Sequence, residues 1–201
     1  MRRLTTTLII TAGLAFASPA LAKSSQKFKS DVAAPISTVK VEVVIGEDLA
    51  WRADNLPENI RDRGHTRGLN DGFGGNGFYG ERDLNILAER MERQMAKRLE
   101  KEGVAISDNA SQTLRITLTD ARPTRPTMKQ MSKSSGLSMQ SFALGGAAFE
   151  GEILSPSGET QGQLSYAWYE NDIHQAQYGT TWSDAKRAID RFAKKAAKSI
   201  N

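Results

Sequence analysis

The stretch "ERDLNILAERMERQMAKRLEKEG", from Glu81 to Gly103, decides the fold. Its large apolar residues recur every three or four positions, which predicts an amphipathic helix with one buried face. Gly103 stands where a glycine commonly ends a helix. The predicted buried residues are Leu84, Leu87, Met91, Met95 and Leu99.

Strands are predicted on both sides of this helix. Apolar residues alternate with other residues in "TVKVEVVIG" (38–46) and in "SQTLRITLTDARP" (111–123), the period expected of half-buried strands. Two longer strands are predicted over 136–154 and 158–173, joined by the turn sequence "SPSG". Gly145 and Gly146 indicate a bulge or a close backbone contact, and the polar residues from 129 to 135 are predicted to form a loop.

The chain ends in a second amphipathic helix, "TTWSDAKRAIDRFAKKAAKSIN", with Thr181 and Asp184 spaced as in a capping box. The element order is therefore β-α-β-β-β-α. We expect an α+β fold in which a mostly antiparallel sheet of about four strands and two helices on one of its faces form a two-layer sandwich. The predicted buried stripe of the last helix is Ala185, Ile189, Phe192, Ala196 and Ile200.

The N-terminal residues 1–22 have the pattern of a secretory signal peptide. Arg2 and Arg3 precede a short apolar run, and "ALA" supplies a cleavage motif that predicts a cut between Ala22 and Lys23. We expect export through the general secretory route to the periplasm. Residues 23–37 are then a flexible lead-in, and 38–201 a single α+β domain.

Composition limits the classes of partner. Of the formal net charge of +4, two charges belong to Arg2 and Arg3, which leaves about +2 after cleavage (4 − 2), with acidic and basic residues interspersed. This argues against nucleic-acid binding, which needs clustered positive charge. The absence of cysteine is compatible with a bacterial periplasmic protein and excludes a lipid anchor on cysteine. We expect no membrane span in the mature chain.

A glycine-rich insertion at 54–80 contains Gly72, Gly74 and Gly77 at G-x-G-x-x-G spacing. In a dinucleotide-binding fold this motif opens directly from a buried strand into a helix within a parallel β-α-β unit. Here a charged stretch precedes it, and the strand that follows the helix is predicted to belong to an antiparallel meander. We therefore interpret the insertion as a flexible loop that could bind a partner, and expect no cofactor.

Two pairs of side chains are candidates for catalysis. Asp172 and His174 form the only close acid–histidine pair, and Glu150 with Glu152 could act as a pair of carboxylates like those of a glycosidase. Structural interpretations compete with both: an exposed polar pair at a strand end, and alternating glutamates that face solvent. His65 is distant from His174 in sequence, and no metal-ligand spacing is present.

Aromatic residues are concentrated near the C-terminus. We predict that most of them lie in the core, with a partner-binding groove as the alternative, since aromatic residues are enriched at interfaces. The cluster consists of Tyr166, Trp168, Tyr169, Tyr178 and Trp182.

The segment from "LAERMERQMAKRLEKEGVAISDNASQTLRITLTDARP" to "GTTWSDAKRAIDRFAKKAA", Leu87 to Ala197, resembles a group of uncharacterised bacterial envelope proteins, many of them lipoproteins. The resemblance implies an envelope location and this fold, and it carries no catalytic motif. The chain departs from the group in lacking a lipidation cysteine and in its 54–80 insertion.

Two functions follow from these observations. The first is a non-catalytic periplasmic binding or accessory module of the cell envelope, which contacts another envelope protein. The alternative is a periplasmic hydrolase that uses Asp172 with His174, or Glu150 with Glu152.

Overall fold

The computed structural model describes residues 28–33, 35–56, 73 and 77–201. The predicted leader with its Ala22–Lys23 cleavage site, most of the 54–80 insertion with Gly72 and Gly74, and His65 lie outside the described residues. The strands are β1 (Lys29–Ser30), β2 (Thr38–Ile45), β3 (Ala105–Ile106), β4 (Thr113–Arg122), β5 (Gly146–Leu154) and β6 (Thr160–Tyr169). The helices are α1 (Glu47–Trp51), α2 (Glu81–Lys101), α3 (Met128–Lys133), α4 (Ile173–Ala176) and α5 (Ser183–Ile200).

These strands form one mixed sheet in the order β1-β6-β5-β4-β2-β3, with the long helices α2 and α5 on one face. The prediction of an α+β fold with two helices on one face is confirmed. The sheet, however, has six strands and not about four. The two additional strands, β1 and β3, are only two residues long, too short to give an alternating pattern.

The pairing of β2 with β4 is parallel, so the prediction that no parallel β-α-β unit surrounds α2 was wrong. The reason is the long α2 between the two strands, because a helix that crosses the sheet returns the chain to the same end. The strands β4, β5 and β6 do form an antiparallel meander.

The core lies between the sheet and the two helices. Leu84, Leu87, Met91, Met95 and Leu99 of α2 are buried, as are all five predicted residues of the α5 stripe. Phe192 of α5 stacks on Phe149 of β5, with ring centroids 5.1 Å apart. Phe28, just before β1, packs beside Phe192, so part of the predicted lead-in contacts the core.

Three local predictions need correction. Residues within 129–135 are helical and not a loop, because Thr127 and Gln130 form a capping box that starts α3. The strand predicted over 136–154 begins only at Gly146. Thr181 does not cap α5, since the N-cap position is Trp182 and its side chain makes no capping bond.

None of the helices within the described ranges combines the length and apolar character that a membrane crossing requires.

Gly77, the last glycine of the G-x-G-x-x-G motif, is held tightly in the fold. It has a φ of 117°, and a methyl group added there would collide with the backbone carbonyl of Asn55. Its own carbonyl accepts a hydrogen bond from Gln130 Nε2 at 2.9 Å. The side chain of Gln130 thus connects α3 to the end of the glycine-rich insertion.

We expect Gly77→Ala to lower the free energy of unfolding by about 1–3 kcal/mol, since alanine is strained at this φ and lacks space. Gly136→Ala is the control, because nothing lies within 4 Å of a methyl group there. Urea denaturation of both variants measures the difference. Equal stability of the two variants would contradict the close packing at Gly77.

Candidate functional site

Arg125 lies in the loop after β4 and connects this loop to two others. Its Nε donates to the carbonyl of Gly179 at 2.7 Å and its Nη1 to the carbonyl of Met139 at 2.8 Å. Its Nη2 donates to the carbonyl of Gln177. A planar guanidinium with several fixed donors suits this task, because one side chain can bind several carbonyls in different directions.

Two exposed side chains lie in the loops held in this way. Tyr178 lies between Gln177 and Gly179 and is 81% exposed, while Met139 is 57% exposed. The half-buried ring of Phe142 lies 6.0 Å from the Arg125 guanidinium carbon. We refer to Met139, Phe142 and Tyr178 around Arg125 as the Arg125 surface.

Buried hydrogen bonds around Asp184 hold these loops to the core. Thr124 Oγ1 donates to Asp184 Oδ2 at 2.9 Å, and the amide of Gly145 donates to the same oxygen at 3.3 Å. The Thr124 amide also donates to the carbonyl of Thr181 at 2.7 Å. A methyl group on Gly145 would lie 2.9 Å from the backbone carbonyl oxygen of Arg122, which confirms the predicted close backbone contact at the Gly145–Gly146 pair.

A second polar cluster surrounds Asp120, which is 4% exposed. Its Oδ1 accepts a hydrogen bond from Arg52 Nη1 at 3.1 Å, and its Oδ2 accepts from Arg122 Nε at 2.9 Å. Tyr169 donates its hydroxyl to Oδ2 at 2.6 Å. The guanidinium of Arg122 also lies 4.5 Å from the centre of the Tyr169 ring. We call these four side chains the Asp120 network.

A β-bulge between Leu118 and Asp120 makes this network possible. Without it, Asp120 would share the face of Leu118, which contacts the apolar core, because residues two apart on a strand point the same way. The extra residue Thr119 places Asp120 opposite Ala148, on the other face of the sheet from Leu118 and Phe149. Sequence reasoning missed this network, since strand alternation does not show where a bulge occurs.

The electrostatics of the network keep its members in their ordinary charge states. Burial alone would raise the pKa of Asp120, but Arg122 and Arg52 outweigh it and hold that pKa below its usual value. Burial, with a further contribution from the Asp120 charge, raises the pKa of Tyr169 well above its usual value. The pKa values of Asp120 and Tyr169 are therefore moved away from pH 7, whereas the pKa of a general acid or base lies near the working pH.

The candidate pair Asp172 and His174 starts the short helix α4. Asp172 is its N-cap, and Oδ1 accepts a hydrogen bond from the backbone amide of His174 at 2.9 Å. The carboxylate thus bonds the main chain of His174 in a capping role.

Glu150 and Glu152 lie in the middle of β5, away from α4 in the chain. Glu150 is exposed and paired in register with Thr117 and Ser165, and Glu152 is half-buried. On the neighbouring strand β4, Arg115 is paired in register with Glu152, but it forms its ion pair with Glu42 at 3.0 Å. The structure places the glutamates on one strand face, as predicted, and does not bring them to Asp172.

The predicted aromatic cluster is divided. Tyr166, Trp168 and Trp182 are buried in the core, which confirms the core interpretation for these three. Tyr169 belongs to the Asp120 network, and Tyr178 faces solvent. In the described part of the chain, no three acidic or histidine side chains are grouped so that they could hold a metal ion.

Comparison with curated proteins finds no significant match. Among solved structures, the chain is similar to the PelC dodecamer from Paraburkholderia phytofirmans, with 12% identity and a TM-score of 0.43, covering 87% of this chain and 98% of that one. It is also similar to a minor lipoprotein from Acinetobacter baumannii, with 13% identity and a TM-score of 0.36, covering 82% and 91%.

The family comparison agrees with the resemblance that the sequence showed to uncharacterised proteins. The matched region, residues 76–196, begins just before Gly77 and extends into the last turns of α5. It includes β4, β5 and β6 and both exposed residues of the Arg125 surface. The chain belongs to the DUF3313 family, whose members are described as proteins of unknown function.

Proposed function

We propose that this protein is a non-catalytic binding or accessory module of the bacterial cell envelope, exported to the periplasm, where its Arg125 surface contacts another envelope protein. One observation carries the proposal: Met139 and Tyr178 are exposed, yet their loops are bound to a single guanidinium. Holding loops in place before binding lowers the entropic cost of association.

The chemistry of the Arg125 surface suits a protein partner. Tyrosine, methionine and arginine are enriched at protein interfaces, and tyrosine supplies a large contact area with few rotatable bonds. The buried bonds of Asp184 to Thr124 and Gly145 support the loops that present these side chains. The surface therefore combines apolar exposure with a rigid base.

The non-catalytic part of the proposal is supported by the contacts of the candidate residues. Asp172 binds a backbone amide, and Asp120 is occupied by two arginines and a tyrosine. The periplasmic location is supported by the leader predicted at residues 1–22.

Photo-crosslinking in living cells tests the proposed contact. A photoreactive amino acid in place of Tyr178 is expected to give an adduct with a second envelope protein. Ile106 is the control position, since it is also exposed but lies on β3, beside the start of β2 and at the opposite end of the sheet. Adducts at both positions, or at neither, would contradict a specific contact through the Arg125 surface.

A second experiment addresses the catalytic alternative. We expect His174→Ala and Glu150→Gln to leave the Tyr178 adduct unchanged, because neither side chain belongs to the Arg125 surface. Purified wild-type protein is screened with a panel of chromogenic ester, phosphoester and glycoside substrates. Turnover that disappears in either variant while its thermal stability is retained would overturn the non-catalytic assignment.

A further inference from the structure

The exposed side of α5 carries only positive charge. Every exposed side chain between Ser183 and Ile200 is lysine or arginine. The first and last of them are eleven residues apart, so the row is about 16 Å long at the helical rise of ~1.5 Å per residue. We call these residues the basic row: Arg187, Arg191, Lys194, Lys195 and Lys198.

The acidic residues of α5 are directed elsewhere. Asp184 is buried against Thr124, and Asp190 pairs with Arg90 of α2 at 2.9 Å. Arg187 has acidic partners, of which Glu170 is the nearer at 2.8 Å. Within the described residues, no carboxylate pairs with the other four members of the row. Arg191 lies over the ring of Trp168, 4.3 Å from its centre, and the charges of the three lysines remain uncompensated.

Neither helix solubility nor the helix dipole explains this arrangement. The exposed residues of α2 include both acids and bases, as in Glu89, Glu92, Arg93 and Lys97, so an exposed helix of this protein does not need charge of one sign to face water. The dipole favours cations only in the last turn, which accounts for Lys198. The basic row begins near the first turn of α5, so most of it needs another explanation.

The composition of the row favours a particular partner. Lysine is depleted at protein–protein interfaces, and the row contains no exposed apolar anchor. The apolar side of α5 is buried in the core, so the helix cannot insert into a bilayer. What remains is a straight line of cations on a rigid surface, which matches a plane of negative headgroups.

We propose that the basic row of α5 docks the protein on a membrane surface of anionic phospholipids, by electrostatic attraction without insertion. This goes beyond the proposed protein contact and uses different residues. Each lysine or arginine near such a surface strengthens binding about fivefold, and salt weakens it by screening.

Vesicle flotation of the purified protein without the predicted leader tests this proposal. We expect binding to vesicles made of phosphatidylglycerol and phosphatidylcholine in equal parts, and none to phosphatidylcholine alone. The triple variant Lys194→Gln, Lys195→Gln and Lys198→Gln is expected to bind about 100-fold more weakly, from three factors of about five. These lysines have no ion-pair partner within the described residues, so circular dichroism melts should match those of the wild type.

A matched variant on α2 separates local charge from net charge. Arg93→Gln, Lys97→Gln and Lys101→Gln removes the same three charges from exposed positions of the other long helix and is expected to keep binding within about twofold. Equal losses in the two variants, or no binding of the wild type to the anionic vesicles, would overturn the proposal.

Soluble probes distinguish a bilayer from other anions. Inorganic phosphate, polyglutamate and duplex DNA are added as competitors at equal ionic strength. We expect none to displace the protein from the vesicles. Displacement by phosphate would indicate a discrete anion site, and preferential capture by polyglutamate or DNA an acidic protein or a nucleic acid; each of these outcomes would contradict docking on lipid.

Discussion

Met95→Glu is expected to abolish cooperative folding. Met95 is fully buried on the core side of α2, where it belongs to the same cluster as Phe192 and Leu114. Removing a buried methionine side chain costs about 2–5 kcal/mol, and burying a carboxylate adds several more. The sum is comparable to the whole stability of a typical domain, about 5–15 kcal/mol. Urea denaturation followed by circular dichroism measures the effect.

Ile86→Glu is the control on the same helix, because the side chain of Ile86 is exposed. It introduces the same carboxylate, and the free energy of unfolding should change by less than about 1 kcal/mol. A cooperative transition in the Met95 variant with a midpoint near that of the wild type would show that this face of α2 does not hold the core.

Asp120→Asn is expected to lower the free energy of unfolding by about 3–5 kcal/mol, because it leaves two arginines without their common carboxylate. Arg52 is 6% exposed, so water replaces little of the lost interaction. Its remaining ion pair joins it to Asp48 at 2.9 Å. The control is Asp190→Asn, which breaks the half-exposed pair with Arg90 and should cost at most about 1 kcal/mol.

The acid dependence of stability supplies a second measurement of the same pair of variants. The folded pKa of Asp120 lies below its unfolded value of about 3.9, so its contribution to stability is complete above that pH. The contribution decreases as the pH falls through the folded pKa. The difference between wild type and Asp120→Asn should therefore narrow below about pH 4. A constant difference down to about pH 2 would indicate that folding does not lower the pKa of Asp120.

The long elements could be predicted from sequence because each shows several turns or alternations of one period. The α2 stripe from Leu84 to Leu99 repeats over five large side chains, and all five are buried. Short elements lack this redundancy: β1 and β3 have two residues each. The helix α3 did carry a signal, since Thr127 and Gln130 match the capping-box pattern.

The candidate site was less predictable than the fold. Tyr178 was singled out as an aromatic residue, but the loop that carries it is bound by Arg125, which is 53 positions earlier in the chain and bonds the neighbouring carbonyl. The basic row illustrates the same limit. The sequence shows acidic and basic residues interspersed along the last helix, whereas folding buries Asp184 against Thr124 and pairs Asp190 with Arg90 of α2.

The sequence by itself determined the class of fold, the two helices and their buried faces, because periodicity within one segment decides which side of that segment avoids water. Only the tertiary structure decided that β2 and β4 are parallel, that a bulge places Asp120 beside Arg52, and that Arg125 joins its own loop to two others. Each of these contacts joins segments distant in the chain, and no local pattern of residues specifies which distant partner a polar group finds.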